Sequence, residues 1–213
     1  MKILFFGDSI TDAFSVRSEQ VYHAYSMLGA GYVNQVAGAL AYKNPAKYEF
    51  VNKGISGNRS VDLYERLNED VLSCKPDVVS IYVGVNDVWH KQNGKGIEIS
   101  EFRKTYKMLI EEVLKNLPNA KIIIVEPFVL NGQETLGKDW LFKEVYEYAK
   151  VVKELAREYN FPFVSLQRAF NKRIKKYESK YFSVDGVHPT IAGASVIAKE
   201  WLKVFKKEID KEN

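Results

Sequence analysis

Residues 1–14 read MKILFFGDSITDAF. Lys2 to Phe6 make a short apolar run of the kind a buried strand produces, and Gly7-Asp8-Ser9 breaks it at once. A serine directly after a first strand is either a helix cap or a nucleophile presented at the mouth of a sheet. What the rest of the chain contains decides between the two.

Working outward, the same kind of run recurs four times: YEFVNKG (48–54), DVVSIYVGVND (77–87), AKIIIVEPF (120–128) and FPFVSL (161–166). Each is bounded by turn residues and rich in Val, Ile or Phe, as buried parallel strands are. Helical patterns lie between them. SVDLYERLNEDVLS (60–73) spaces Val61, Tyr64, Leu67 and Val71 along one face, with Ser60 as its N-cap. ISEFRKTYKMLIEEVLKNLP (99–118) is capped by Ser100 and stops before Pro118. KDWLFKEVYEYAKVVKELAREYN (138–160) is the longest helix, and HPTIAGASVIAKEWLKVFKKE (188–208) closes the chain. Strand-helix alternation predicts right-handed crossovers and a parallel sheet with helices on both faces. Ligands of such sheets bind outside the carboxyl ends of the strands.

Composition narrows the function classes. The chain has 213 residues, long enough for a substantial core and read as one domain over 1–213; 46% are hydrophobic and 27% charged. A net charge of +4, from 31 basic and 27 acidic residues, is too weak to point to nucleic acid. Cys74 is the single cysteine, so an intramolecular disulfide framework is excluded. The apolar run at the start is too short for a signal peptide, and no stretch approaches 18 apolar residues. The expectation is a cytoplasmic protein without a membrane span.

Four strand ends carry the chemistry. The first runs into Gly7-Asp8-Ser9, the second into ISGNRS (55–60), the third into VNDVW (85–89); SVDGVHP (183–189) stands before the last helix. A serine hydroxyl needs a base within hydrogen-bond reach. Of the three histidines, His23 in QVYHAYSML reads as a loop or helix residue and His90 as a rim or simply exposed one. His188 is different, because Asp185 lies three residues before it and one turn can set that carboxylate against Nδ1. The developing oxyanion needs donors: the Ser9 N–H, the N–H of Gly57 and the side-chain amide of Asn86. Taken singly, Ser9 could cap a helix, Gly57 could serve a tight turn, and Asn86 could form an Asx-turn. Their joint order at strand ends favours the catalytic reading.

GDSIT, NKGISGNRS, GVNDVW and DGVHP resemble, in order, the blocks of the GDSL/SGNH hydrolase superfamily. The resemblance implies an α/β fold, a flavodoxin-like three-layer α/β/α sandwich with a five-stranded parallel sheet. It implies Ser9 as nucleophile, Gly57 and Asn86 as oxyanion donors, and His188 and Asp185 as base and orienting acid. GAGYVNQVAGAL, EDVLSCKPDVVSIYVGVNDVW and VDGVHPTIAGASVIA are similar to bacterial intracellular acetylxylan esterases, which deacetylate xylo-oligosaccharides without metal or cofactor. On that likeness Asp8 and Trp89 join the substrate-binding residues. Asp8 would hold the serine loop through backbone N–H groups; Trp89 would stack a sugar face or serve a surface or subunit contact. Tyr32 would pack or line the cleft. Arg59 and Val184 depart from the commoner pattern at the rim, which bears on acyl and sugar preference. The family's habit of assembling predicts a homo-oligomer.

Rival readings keep the chemistry or discard it. Lysophospholipase, thioesterase or broad short-chain carboxylesterase activity would use the same site. A non-catalytic carbohydrate-binding protein would be expected to have lost the serine, histidine or aspartate. A nucleotide binder lacks its glycine-rich loops here, a metal site lacks clustered ligands, and the G-x-S-x-G elbow is absent.

Overall fold

The computed structural model describes residues 1–17 and 24–211; His23 lies outside the described residues. Five strands form one sheet: β1 (Lys2–Gly7), β2 (Glu49–Gly54), β3 (Val78–Tyr82), β4 (Lys121–Val125) and β5 (Phe163–Val164). All pairings are parallel and the order is β2-β1-β3-β4-β5, the flavodoxin-like order expected. The order reverses between β1 and β3, and such a switch point opens a crevice at the carboxyl ends of the two strands.

Among the described residues eight α-helices connect and flank the strands: α1 (Ser9–Asp12), α2 (Tyr32–Lys43), α3 (Ser60–Glu65), α4 (Val85–Trp89), α5 (Ile99–Asn116), α6 (Asp139–Glu158), α7 (Leu166–Ile174) and α8 (Ile191–Glu208). Successive residues of β1 show how the sheet is covered, because neighbouring side chains point to opposite faces. Phe5 meets Tyr32 of α2 and Trp201 of α8 at ring separations of 5.8 and 5.2 Å. The Trp201 indole N–H donates to Ser80 of β3, the register partner of Phe5. Phe6, on the other face, lies under the guanidinium of Arg66 just past α3, 4.4 Å from it. α5 and α6 close that side through Phe102 and Tyr148, 4.8 Å apart. The buried side chains form one contiguous core running from Ile3 to Ile209.

Two helix starts and one helix body differ from the sequence reading. α3 is capped by Arg59, with the Asp62 carboxylate accepting the Arg59 N–H at 2.7 Å, because Ser60 is drawn inward to Asp87. α5 begins at Ile99 with Glu98 as its N-cap, so Ser100 is already inside the helix. The pattern over 60–73 is not one α-helix: α3 ends at Glu65 and a π-helical turn covers Asn68–Leu72. Of the predicted stripe Leu67 and Val71 are buried while Val61 and Tyr64 are only partly so, and Leu63 takes a core position in their place. α6, at 20 residues, is the longest helix. Among the described residues no helix is long and apolar enough to cross a membrane.

Candidate active site

Ser9 is delivered by the shortest possible route from the sheet. β1 ends at Gly7, Asp8 is extended and caps α1, and Ser9 is the first helical residue. The Asp8 carboxylate accepts the Ile10 N–H at 3.0 Å, which fixes the turn that starts α1. Glycine is required beside this turn. A Cβ on Gly54, at the end of β2, would come within 2.1 Å of the Asp12 nitrogen, so α1 can lie against the sheet only over a bare backbone.

The loop before α8 brings His188 to Ser9. Ser9 Oγ and His188 Nε2 are 2.9 Å apart, and His188 Nδ1 is 2.6 Å from Asp185 Oδ2. Asp185 accepts the proton at Nδ1, so the lone pair at Nε2 faces the Ser9 hydroxyl, which donates to it. The other Asp185 oxygen accepts the N–H groups of Val187 and His188, both at 2.8 Å, and the Ser183 hydroxyl at 3.0 Å. Partial burial works against the ionised form of Asp185, but these hydrogen bonds prevail and hold it far below the usual carboxylate range. His188 is shifted upward, chiefly by its bond to Asp185, with burial opposing and the Asp8 charge adding a little. A second loop braces the first: the N–H groups of Leu130, Gln133 and Glu134 donate to the carbonyls of Gly186, Val184 and Asp185.

Gly57 and Asn86 follow the ends of β2 and β3 by three and four residues. Gly57 has φ +82°, and nothing lies within 4 Å of where its Cβ would be, so the space beside its Cα is open. Asn86 lies in the first turn of α4, and its amide nitrogen donates to the Asn58 carbonyl at 3.0 Å. One amide N–H is used in that bond and the second remains to be offered. Next to it Asp87, 0% exposed, accepts the Ser60 hydroxyl at 2.5 Å and the Ser60 N–H at 3.0 Å.

Several other residues named from sequence also have definite places. Asp8 is 2% exposed, so it reaches the serine turn and not the solvent; burial pushes its carboxyl up to about 7. Trp89 is half-buried, with the Lys138 ammonium 4.6 Å from its ring centre. Tyr32 is buried, its hydroxyl paired with Thr11. Arg59 is committed to Asp62 and to the Lys95 carbonyl, while Val184 is exposed. His90 is partly buried and shifted downward by that burial, then by Arg59. The sequence reading missed Ser183, Ser60, Asp87 and Arg66. The first three lie inside the quoted blocks, where a polar residue beside a functional one was the available signal. Arg66 had no local signal. Among the described residues no group of three or more His, Cys, Asp or Glu side chains could hold a metal ion.

The chain is similar to known proteins in sequence and in fold. The model of the GDSL-like lipase/acylhydrolase family matches residues 5–196. An acetylxylan esterase of Geobacillus stearothermophilus is 39% identical over 95% of this chain and 92% of its own. Its crystal structure, that of Axe2, superimposes with a TM-score of 0.85 at 37% identity, covering 95% of this chain and 93% of that one. Structures of Axe2 catalytic mutants replace a serine, an aspartate or a histidine by alanine. An isoamyl acetate-hydrolyzing esterase of Saccharomyces cerevisiae is 25% identical over 96% of this chain and 86% of its own.

Proposed function

The chain belongs to the GDSL-like lipase/acylhydrolase family, and from that premise we propose that it is a serine esterase removing acetyl groups from acetylated xylo-oligosaccharides or related carbohydrates. The observation that carries the chemistry is the Ser9–His188–Asp185 relay, with contacts of 2.9 and 2.6 Å. The observation that favours acetyl is the pair of curated relatives. One is an acetylxylan esterase and the other hydrolyses isoamyl acetate, so the acyl half is common while the alcohol differs. Near-complete coverage at 39% identity favours the sugar ester.

In the proposed course Ser9 Oγ attacks the acetyl carbonyl carbon as its proton passes to His188 Nε2. The carbonyl oxygen becomes an oxyanion held by the N–H groups of Ser9 and Gly57 and the amide of Asn86. The C–O bond to the sugar breaks, and the alkoxide leaves with the proton from His188. Water then gives a proton to His188 and attacks the acetyl-enzyme; acetate departs as Ser9 regains its proton. Asp185 stays ionised throughout and stabilises the imidazolium. Asp8 holds the serine turn and Trp89 offers a ring at the rim. No step calls on a metal or cofactor.

Two further proposals accompany this one. Exposed Phe14, Leu136 and Ile191 support self-association into a homo-oligomer, which sedimentation velocity would register as a species heavier than the 24.4 kDa chain. The lone Cys74 is consistent with a reducing cytoplasmic setting.

The deciding experiment measures acetate release from acetylated xylo-oligosaccharides beside p-nitrophenyl esters of increasing acyl length, with Ser9→Ala as blank. Cleavage of acetyl substrates alone, abolished in the variant, is the expected result. A preference for long acyl chains would move the substrate to lipid or thioester, and an active variant would remove Ser9 as nucleophile.

A further inference from the structure

Asp87 lies next to Asn86 in sequence and makes no use of solvent, being 0% exposed. Its partner Ser60 is also 0% exposed and stands three residues after Gly57. Carboxylate and serine meet through three contacts: the hydroxyl to Oδ1 at 2.5 Å, and the N–H to Oδ1 at 3.0 Å and to Oδ2 at 3.2 Å. These join turns 27 positions apart in the chain. The Asn86 amide makes a second tie to the same loop at the Asn58 carbonyl, 3.0 Å away. The Asp87 carbonyl also accepts the Ile97 N–H at 2.9 Å, so one residue anchors the loops after β2 and after α4.

Two oxyanion donors are useful only if their separation is fixed before the charge develops. Gly57 cannot fix itself: it has no side chain, sits at φ +82° and has open space where a Cβ would be. The end of its loop is fixed by Ser60, and Ser60 is fixed by Asp87. We infer that Asp87 is a positioning residue for the oxyanion site, holding the Gly57 loop at a set distance from Asn86 through Ser60. The inference rests on the esterase reading above and assigns Asp87 no contact with substrate. A displacement of about 1 Å in such a site is enough to lower a rate about 100-fold, so the loss should fall on kcat and spare ground-state binding.

The test compares Asp87→Ala, Asp87→Asn and Ser60→Ala with the parent on p-nitrophenyl acetate, with thermal melting followed by circular dichroism and inhibition by phenylboronic acid. Boronate forms a tetrahedral adduct on the serine and reports the oxyanion site separately from the substrate. For Asp87→Ala the expected result is a kcat lower by about 10- to 100-fold, KM within about twofold, and a boronate inhibition constant raised in step. Asn keeps an oxygen that can accept from Ser60, so Asp87→Asn should regain most of the rate. Ser60→Ala, which keeps its N–H, should lose about 3- to 10-fold. If Asp87→Ala does not fold, Ser60→Ala alone decides. Folded variants with parental kcat would overturn the inference. So would equal losses in the Ala and Asn variants, because charge and not hydrogen-bond geometry would then be responsible. An inactive parent would instead defeat the esterase reading itself.

Discussion

The serine relay is set by one residue's ionisation. In the proposed mechanism only neutral His188 can take the Ser9 proton, so the pH at which it protonates would set the acid limb of activity. Asp185 stabilises the protonated ring, burial opposes, and the sum moves His188 above the ordinary value of about 6.5. On an acetyl ester kcat/KM should therefore fall, as pH is lowered, through a value above about 6.5. In Asp185→Asn the carboxylate is gone, and the amide can hold the ring in the wrong tautomer. The acid limb should move down and kcat should drop by about 1,000- to 10,000-fold. A pH–rate profile flat between pH 8 and 5 in the parent would remove His188 as the base.

At the scale of elements, the strands were legible because each is a local apolar run with a turn residue at its end. The candidate site was legible for the same reason, since its members lie within six residues of a strand end or a helix start. What could not be read was anything made between elements. Ser60 reads as an N-cap from its neighbours alone, and only the fold sets Asp87 beside it. Alternation of strands and helices implies a parallel sheet but no strand order; the order came from family likeness. Arg66 is the clearest case. It falls where the 60–73 helix pattern breaks, and its guanidinium donates to the Gly7 carbonyl at 3.0 Å, the Lys53 carbonyl at 2.9 Å and Asn58 Oδ1 at 2.7 Å. It also pairs with Asp70 at 2.5 Å. One fork thus ties the ends of β1 and β2 to the loop behind Gly57. Arg66→Ala removes these donors, although Asp70 keeps Lys53 at 2.9 Å and the Gly7 carbonyl keeps the Ile55 N–H at 3.0 Å, and should cost about 2 kcal/mol in urea unfolding. Arg66→Lys keeps the charge but not the planar fork and should recover less than half of that loss. Full recovery by lysine would mean that the charge alone matters.

For the whole molecule, the site sets a tension between stability and pH. Burial raises the Asp8 carboxyl to about 7 and, with hydrogen bonds from Ser60 opposing, the Asp87 carboxyl to about 6. Both ordinarily titrate near 3.9. Between those values the folded chain holds protons that the unfolded chain has lost, so stability falls as pH rises from about 4 to 7 and levels off above. His188 acts in the same direction: its raised value gives a contribution that is full below about 6.5 and lost as pH climbs through the folded value. Carboxylates held low by partners, Asp62, Asp70, Asp185 and Asp210, act oppositely, but their contribution is lost only as pH falls below about 4. Across pH 5–8 the buried pair should prevail, and the melting temperature should decline by roughly 8–16 °C, given about 2–4 °C per kcal/mol for a chain of this size. Asp8→Asn keeps an acceptor for the Ile10 N–H but removes the titration. It should therefore raise the melting temperature at pH 8, change it little at pH 5, and flatten the profile. If it leaves the profile unchanged, Asp8 is not the group that carries the slope, and the tension lies elsewhere in the chain.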